Sequence, residues 1–144
     1  MRRALGLGFL LLLLLAGLAA LRLWPAIRAA QGKREPVIDQ VAPALPADLG
    51  DGGALSLLLF SKTNGFRHAD AIAACEKSLR EIAARRGWQI FATENAAVFE
   101  DSLLARFQVL ISNNATGDNW SAQQRQAFQR WIEQGGGFVG VHGA

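Results

Sequence analysis

The sequence predicts an α/β fold, a doubly wound parallel sheet of about four strands that follows an N-terminal transmembrane helix. Three observations lead to this prediction. Short apolar runs alternate with amphipathic helical patterns over residues 54–144, as in sheets whose parallel strands are joined by helices. A leucine-rich run without charge occupies residues 4–21. The hydrophobic content of 51% also allows a packed core and argues against a disordered chain.

The N-terminal segment, residues 1–24, has the pattern of a membrane anchor. Arg2 and Arg3 precede the apolar run, which as a helix would be about 27 Å long, close to the ~30 Å hydrocarbon core of a bilayer. A cleaved signal peptide is the alternative, but the best small-residue cleavage motif, at residues 17–19, is weak and lies inside the run. We therefore expect an uncleaved signal-anchor, with Trp24 at the lipid–water boundary.

The charges around this segment point to two different orientations. Basic side chains flank the apolar run on both sides, and the larger number on the carboxyl side would place the following domain in the cytoplasm. The Arg-Arg start before a leucine-rich segment is typical of an export signal and favours the opposite orientation. We expect a single-pass membrane protein with an extracytoplasmic domain.

A linker rich in proline and glycine separates the anchor from the folded domain. All four prolines lie between residues 25 and 46, and glycines follow at positions 50, 52 and 53. This composition is typical of an extended tether. The linker is therefore expected over residues 25–53 and the domain over residues 54–144.

The positive net charge of +3 does not indicate a nucleic-acid partner. Residues 1–35 carry six basic side chains and one acidic side chain, whereas residues 54–144 carry nine basic and eight acidic ones. The excess of positive charge therefore lies in the N-terminal segment, and the domain lacks a basic stripe for a phosphate backbone.

Four apolar runs in the domain are predicted to be strands. They cover residues 55–60, 88–93, 107–112 and 138–141. The first and third runs are nearly continuous, which is typical of strands buried on both faces of a parallel sheet.

Helical patterns separate these runs. Apolar side chains with helical spacing over residues 72–83 predict a helix that ends at Gly87. A short helix is expected over residues 100–106. Ser121 and Gln124 form a capping-box pattern at the start of a further helix, which the run of three glycines ends.

Candidate site residues lie on the loops that follow the first, third and fourth strands. Ligands of open parallel sheets bind outside the carboxyl ends of the strands. The two histidines of the chain, His68 and His142, both fall on this edge. A histidine at a strand end is often only a hydrogen-bonded structural group, but two of two on the same edge favour a shared site. A neutral imidazole can act there as a general base or as a metal ligand.

Three motifs of the domain occur on this edge in a fixed order. They are residues 60–68 (FSKTNGFRH), residues 114–118 (NATGD) and residues 135–142 (GGGFVGVH). Together they resemble motifs of the trehalose-utilisation (ThuA-like) family over about residues 54–144. The resemblance implies a fold similar to that of class I glutamine amidotransferases, which is a flavodoxin-like α/β sandwich, and it implies a role in carbohydrate utilisation.

The resemblance also implies residue roles. His142 stands where the amidotransferases carry the cysteine of a Gly-x-Cys-x-Gly elbow, so glutaminase chemistry is not expected. His142 and His68 are the predicted catalytic residues. The predicted substrate-binding residues are Lys62, Thr63, Asn64, Arg67, Thr116, Gly117 and Asp118. The expected partner is a carbohydrate or sugar derivative, the cofactor is left unassigned, and no metal ligands are predicted.

The sequence gives weaker support to a phosphate loop, a reactive cysteine or a metal site than to the histidine site. The glycines at 135–137 end a helix and open a strand, which is the reverse of a phosphate loop. Cys75 lies in an apolar helical stripe and is expected to be a small buried hydrophobe. Asp118 and Asp70 are candidates to orient the histidines, although Asp70 equally suits the first turn of a helix. Two histidines far apart in the sequence are weak evidence for a metal site.

Three functional readings remain open on the sequence. The first is an enzyme that acts on a sugar, and the second is a non-catalytic carbohydrate-binding or scaffold module. The third is a truncated chain without a function of its own, because members of the ThuA-like family continue well past the histidine that corresponds to His142.

Overall fold

The first of two structural units contains an N-terminal helix. The computed structural model describes residues 12–25, 35–51 and 53–143. Its contacts divide the chain into the units Met1–Arg34 and Glu35–Ala144. In the first unit, residues 12–25 are helical and their side chains are exposed.

The transmembrane helix expected over residues 4–21 is not found in the part of the chain that the structure describes. None of the helices within these described residues is both long enough and apolar enough to cross a membrane. The described helix covers residues 12–25 and is about 21 Å long, compared with a hydrocarbon core of ~30 Å. Residues 4–11 of the expected segment lie outside the described residues.

The second unit is built on a four-stranded parallel sheet with the strand order β2-β1-β3-β4. The strands are β1 (Ser56–Phe60), β2 (Gln89–Thr93), β3 (Val109–Asn113) and β4 (Gly137–Val141). Leu58 of β1 lies opposite Phe91 on one side and opposite Leu110 on the other. The predicted parallel α/β sheet is confirmed, and the flavodoxin-like arrangement of helices around it fits.

The three predicted helices are present, and the second is shorter than the predicted span of residues 100–106. They are α1 (Ala69–Arg86), α2 (Asp101–Leu104) and α3 (Ala122–Glu133), and a 3₁₀ turn covers Ala96–Val98. Gly87 caps α1 in a left-handed conformation, and Ser121 forms the predicted capping box with Gln124 at the start of α3. The 3₁₀ turn was not predicted, because its three residues are too few to show a helical period.

The apolar core lies on both faces of the sheet. The larger cluster includes Leu58, Phe60, Leu104, Leu110 and Trp131. The smaller cluster includes Leu57, Leu59 and Ile111. Successive side chains of β1 therefore enter opposite clusters, which explains why the run at residues 55–60 is apolar without alternation.

Strand β4 forms one edge of the sheet and is the least covered strand. It pairs with β3 alone among the described strands. Phe138 is 46% exposed and Val139 is 47% exposed, whereas all five residues of β1 are buried. Residues on both faces of β4 are therefore partly exposed in the described part of the chain.

Residues 35–50 form the N-terminal segment of the second unit and are called the strap below. Leu49 is buried in the core, and Val37 exchanges hydrogen bonds of 3.1 and 3.0 Å with the side chain of Asn64. The guanidinium of Arg106 donates to three carbonyl groups of the strap, those of Pro46, Ala47 and Leu49. Residues that the sequence assigns to the linker therefore have a fixed course on the domain.

Candidate functional site

Three loops meet at the carboxyl ends of β1, β3 and β4. Residues 61–68 follow β1, residues 114–121 follow β3, and residues 142–143 follow β4. Parallel strands direct all three loops to one edge of the sheet, which is the usual ligand edge of this architecture. The predicted site residues lie on these three loops, so the topology brings them to one side of the domain.

The first two loops are in direct contact. The backbone N–H groups of Asn64 and Gly65 donate to the Thr116 carbonyl at 2.9 and 3.0 Å, and the Thr116 hydroxyl donates to the Phe66 carbonyl at 2.5 Å. Gly117 has φ +83, and a Cβ there would lie 2.5 Å from the Gly65 nitrogen. Glycine is therefore required at position 117 both for the backbone conformation and for the approach of the loops.

The predicted ligand residue Asn64 is used by the fold. Its side-chain amide donates to the carbonyls of Asp118 at 2.7 Å and Val37 at 3.0 Å. The side chain of the buried Asn119 accepts from the Asn64 backbone N–H at 3.1 Å and donates to the Lys62 carbonyl at 3.0 Å. Both asparagines therefore fix the loops, and the sequence analysis missed Asn119 because one polar residue in a loop carries no pattern.

The two histidines are in contact. The Nε2 atoms of His68 and His142 are 3.2 Å apart, and the ring centroids are 4.8 Å apart with an angle of 78° between the planes. At this distance one ring donates its N–H and the other accepts it. The ring of Phe66 packs edge-on against His68 at 4.7 Å. The structure thus places both predicted catalytic residues in one site, with His68 half-buried and His142 exposed.

Two residues of this edge have left-handed backbones that are uncommon outside glycine. His142 has φ +42 and Asn114 has φ +52, and Gly143 after the histidine has φ +46. A Cβ on Gly143 would lie 3.2 Å from the Thr116 methyl group. Such conformations cluster at functional sites. The chain therefore turns sharply at His142, directly after β4.

Neither candidate carboxylate orients the histidines. Asp118 accepts hydrogen bonds of 3.1 and 2.9 Å from Arg125, and Asp70 lies exposed in the first turn of α1. Among the residues that the structure describes, no carboxylate is hydrogen-bonded to His68 or His142. Within the described residues, the ring contacts of this pair are the one between the two histidines and the one between His68 and Phe66.

Lys62 points to the strap. It is 8% exposed, and its Nζ atom lies 2.6 Å from the Asp39 carboxylate. The same carboxylate oxygen accepts from the Ala96 N–H at 2.7 Å, and the Asp39 carbonyl accepts from Gln124 at 2.9 Å. Lys62 is therefore occupied by a nearly buried ion pair. The sequence analysis missed Asp39 because it lies in a segment without any periodic pattern.

Arg67 and Thr63 form a second polar group at the rim. The Arg67 guanidinium binds both carboxylate oxygens of Glu94, at 2.9 and 2.6 Å, and donates to the Thr63 hydroxyl at 3.3 Å. The hydrogen bond to Glu94 raises the pKa of Arg67 above its ordinary value, so the side chain is a fixed positive charge. It directly precedes His68 in the chain, and its ion pair with Glu94 is half-exposed to solvent.

The described residues contain no cluster of three or more His, Cys, Asp or Glu side chains that would hold a metal ion. The histidine pair itself supplies two nitrogen donors, and a catalytic zinc site ordinarily has three protein ligands. The two imidazoles can transfer protons and form hydrogen bonds.

Comparison with known proteins assigns the domain to a family. The model of the family ThuA, described as trehalose utilisation, matches residues 56–144. A search of curated proteins finds no match. Among solved structures, a ThuA-like protein from Bacteroides uniformis ATCC 8492 matches with a TM-score of 0.52 and 22% sequence identity. The similarity covers 72% of this chain and 41% of the solved one, so this chain spans less than half of that protein. At this identity the likeness supports the fold.

Proposed function

We propose, since this chain belongs to the trehalose-utilisation family ThuA, that its α/β domain acts on a carbohydrate with His68 and His142 as an acid–base pair. The observation that carries this proposal is the 3.2 Å contact between the Nε2 atoms of the two histidines. They come from loops after β1 and β4, and the fold brings them together on the edge where parallel sheets bind ligands.

The contact supplies both an acid and a base. In the neutral pair one Nε2 atom carries a hydrogen and the other presents a lone pair. A substrate hydroxyl that replaces this contact meets an acceptor nitrogen on one ring and an N–H donor on the other. Proton transfer by positioned groups of this kind typically contributes about 10²–10⁴-fold to a rate. The exposure of His142 leaves the pair accessible from solvent.

The test follows sugars by proton NMR, which detects changes in anomeric signals without assuming a reaction. The purified full chain is incubated with trehalose, maltose and sucrose. His142→Asn is the informative variant, because Asn tolerates the left-handed backbone at this position. We expect turnover to fall by about 10²-fold or more in His142→Asn and in His68→Gln. Asp101→Asn is a control on the exposed surface.

Outcomes of this experiment separate catalysis from binding. Turnover that stays within about twofold of the parent in both histidine variants would contradict an acid–base role. Thermal unfolding of each variant shows whether a loss of turnover merely reports a loss of fold. Absence of turnover in the parent chain, with sugar binding intact, would favour the second candidate below.

A non-catalytic carbohydrate-binding or scaffold module is the second candidate function. One observation favours it: within the described residues no carboxylate orients either imidazole, although catalytic histidines commonly have such a partner. In this case sugar binding persists and no sugar is converted. The proton NMR experiment distinguishes the two candidates directly.

We further propose that the N-terminal segment attaches the chain to a membrane, with the domain on the extracytoplasmic side. Support comes from the sequence, in which two arginines precede the uncharged run over residues 4–21. Expression of the full chain followed by alkaline extraction of membranes tests attachment, and release of the chain into the soluble fraction would contradict it. Protease added outside the cytoplasmic membrane reports the side: digestion of residues 53–143 would indicate an extracytoplasmic domain, and protection would indicate a cytoplasmic one.

A further inference from the structure

A concave surface lies beside the loop that follows β3. A cavity of about 200 Å³ opens between the start of α3, the carboxyl half of β3 and Phe138 of β4. Its lining includes Ser112, Gly117, Asp118, Trp120, Arg125 and Phe138. Sites for drug-sized ligands are usually about 300–1,000 Å³, so this cavity suits a smaller ligand.

The cavity contains a buried polar group that the protein does not use. The indole Nε1 atom of Trp120, which lines the cavity, is buried and has no hydrogen-bond partner among the described residues. Buried polar groups of folded proteins are nearly always hydrogen-bonded. Gly140 lies opposite Ser112 on the neighbouring strand and has no side chain to fill the space. A ligand in the cavity can therefore supply the missing partner of the Trp120 indole N–H.

The remaining lining defines the chemistry of that ligand. Trp120 and the 46%-exposed ring of Phe138 offer apolar surface. Arg125 and Asp118 are paired with each other at 2.9 Å, so the lining carries no net charge. A neutral ligand with an apolar face and several hydroxyl groups fits this combination, because the face packs on the rings and the hydroxyls reach Ser112 and the ion pair.

The cavity and the histidine pair share one loop. Gly117 lines the cavity, and the preceding residue, Thr116, lies against Gly143, which follows His142. We propose that the cavity is a subsite for one neutral sugar ring, placed one loop away from His68 and His142. This inference rests on the proposed function, because it assigns a position within the same carbohydrate site.

The experiment titrates the ¹⁵N-labelled full chain with D-glucose and with trehalose. The indole N–H signal of Trp120 reports the cavity and is assigned by its loss in Trp120→Phe. The imidazole C–H signals of His68 and His142 report the histidine pair. We expect D-glucose to shift the Trp120 signal until the cavity is saturated. We expect trehalose to shift the signals of both histidines as well.

Variants and a charged analogue test the chemistry of the subsite. Ser112→Ala removes a hydroxyl group from the lining of the cavity and is expected to weaken D-glucose binding roughly 2–10-fold. Ser102→Ala is the matched control, because Ser102 is exposed and bonds only to Glu100. Sodium gluconate, a charged compound of similar size, is expected to bind less well than D-glucose. Equal binding of gluconate, or no effect of Ser112→Ala, would overturn the assignment.

The outcomes separate this inference from the proposed function. Shifts at the histidines without a shift at Trp120 would overturn the subsite and leave the histidine site standing. A saturable shift at Trp120 alone would support the subsite and contradict binding at the histidine pair. Absence of any shift with both sugars would overturn both proposals.

Discussion

The contact between the loops after β1 and β3 makes one substitution especially informative. Gly117 has φ +83, and its α-carbon faces the backbone of the neighbouring loop. In Gly117→Ala the new methyl group would lie 2.5 Å from the Gly65 nitrogen and 2.8 Å from the Asn64 carbonyl carbon. Backbone atoms cannot move aside as a flexible side chain can, so the two loops must separate.

Two terms set the size of the effect. The left-handed backbone costs a residue with a Cβ about 1–2 kcal/mol. Overpacking against the fixed backbone adds about 1–3 kcal/mol. Gly87→Ala provides the matched control, because Gly87 also has a positive φ, +67, but a Cβ there meets nothing within 4 Å. Both substitutions change the entropy of the unfolded chain similarly, so that contribution largely cancels in the comparison.

The assay is urea denaturation followed by circular dichroism, with the free energy of unfolding compared at unchanged m-value. We expect Gly117→Ala to lower this free energy by about 1–3 kcal/mol more than Gly87→Ala does. Equal losses, within about 0.5 kcal/mol, would refute the argument that the loops are in steric contact. The same variant should also weaken the contact between His68 and His142, since the loop that carries His68 is displaced.

Two further predictions concern the strap and the thiol. Asp39→Asn removes the charged partner of the nearly buried Lys62 and should lower the free energy of unfolding by about 1.5–3 kcal/mol. The control is Asp118→Asn, in the half-exposed pair with Arg125, which should lower it by at most about 1 kcal/mol. Equal effects of the two substitutions in urea denaturation would contradict a structural role for the strap. Burial raises the pKa of the Cys75 thiol, so less thiolate is present near pH 8 in the native chain. Alkylation of Cys75 by iodoacetamide, followed by mass spectrometry, should therefore be slower in the native chain than in urea. Equal rates would show that the thiol is fully accessible.

Much of the fold could be read from the sequence because its signals are local. The unbroken apolar run at residues 55–60 indicated a strand buried on both faces, and β1 occupies Ser56–Phe60. Gly87 ends α1 because only glycine adopts the left-handed cap without strain, and Ser121 starts α3 through its capping box. Each of these features depends on residues within a few positions of one another.

The candidate site was predictable in outline but not in detail. The placement of His68 and His142 on one edge follows from strand direction alone, and the structure adds that their Nε2 atoms are 3.2 Å apart. The prediction for Lys62 did not anticipate its ion pair with Asp39, which comes from a segment without periodicity. No local pattern distinguishes a lysine that faces a ligand from one that faces a carboxylate.

The sequence by itself determined the elements of this protein, their order and the edge on which the histidines lie. It did so because hydrophobic period, helix caps and strand direction are encoded within short stretches of chain. Only the tertiary structure decided that the strap packs on the domain, that the loops after β1 and β3 approach each other closely at Gly117, and that a cavity opens beside Ser112. These features join residues distant in the chain, such as Asp39 and Gln124, and such contacts depend on the packing of the whole domain.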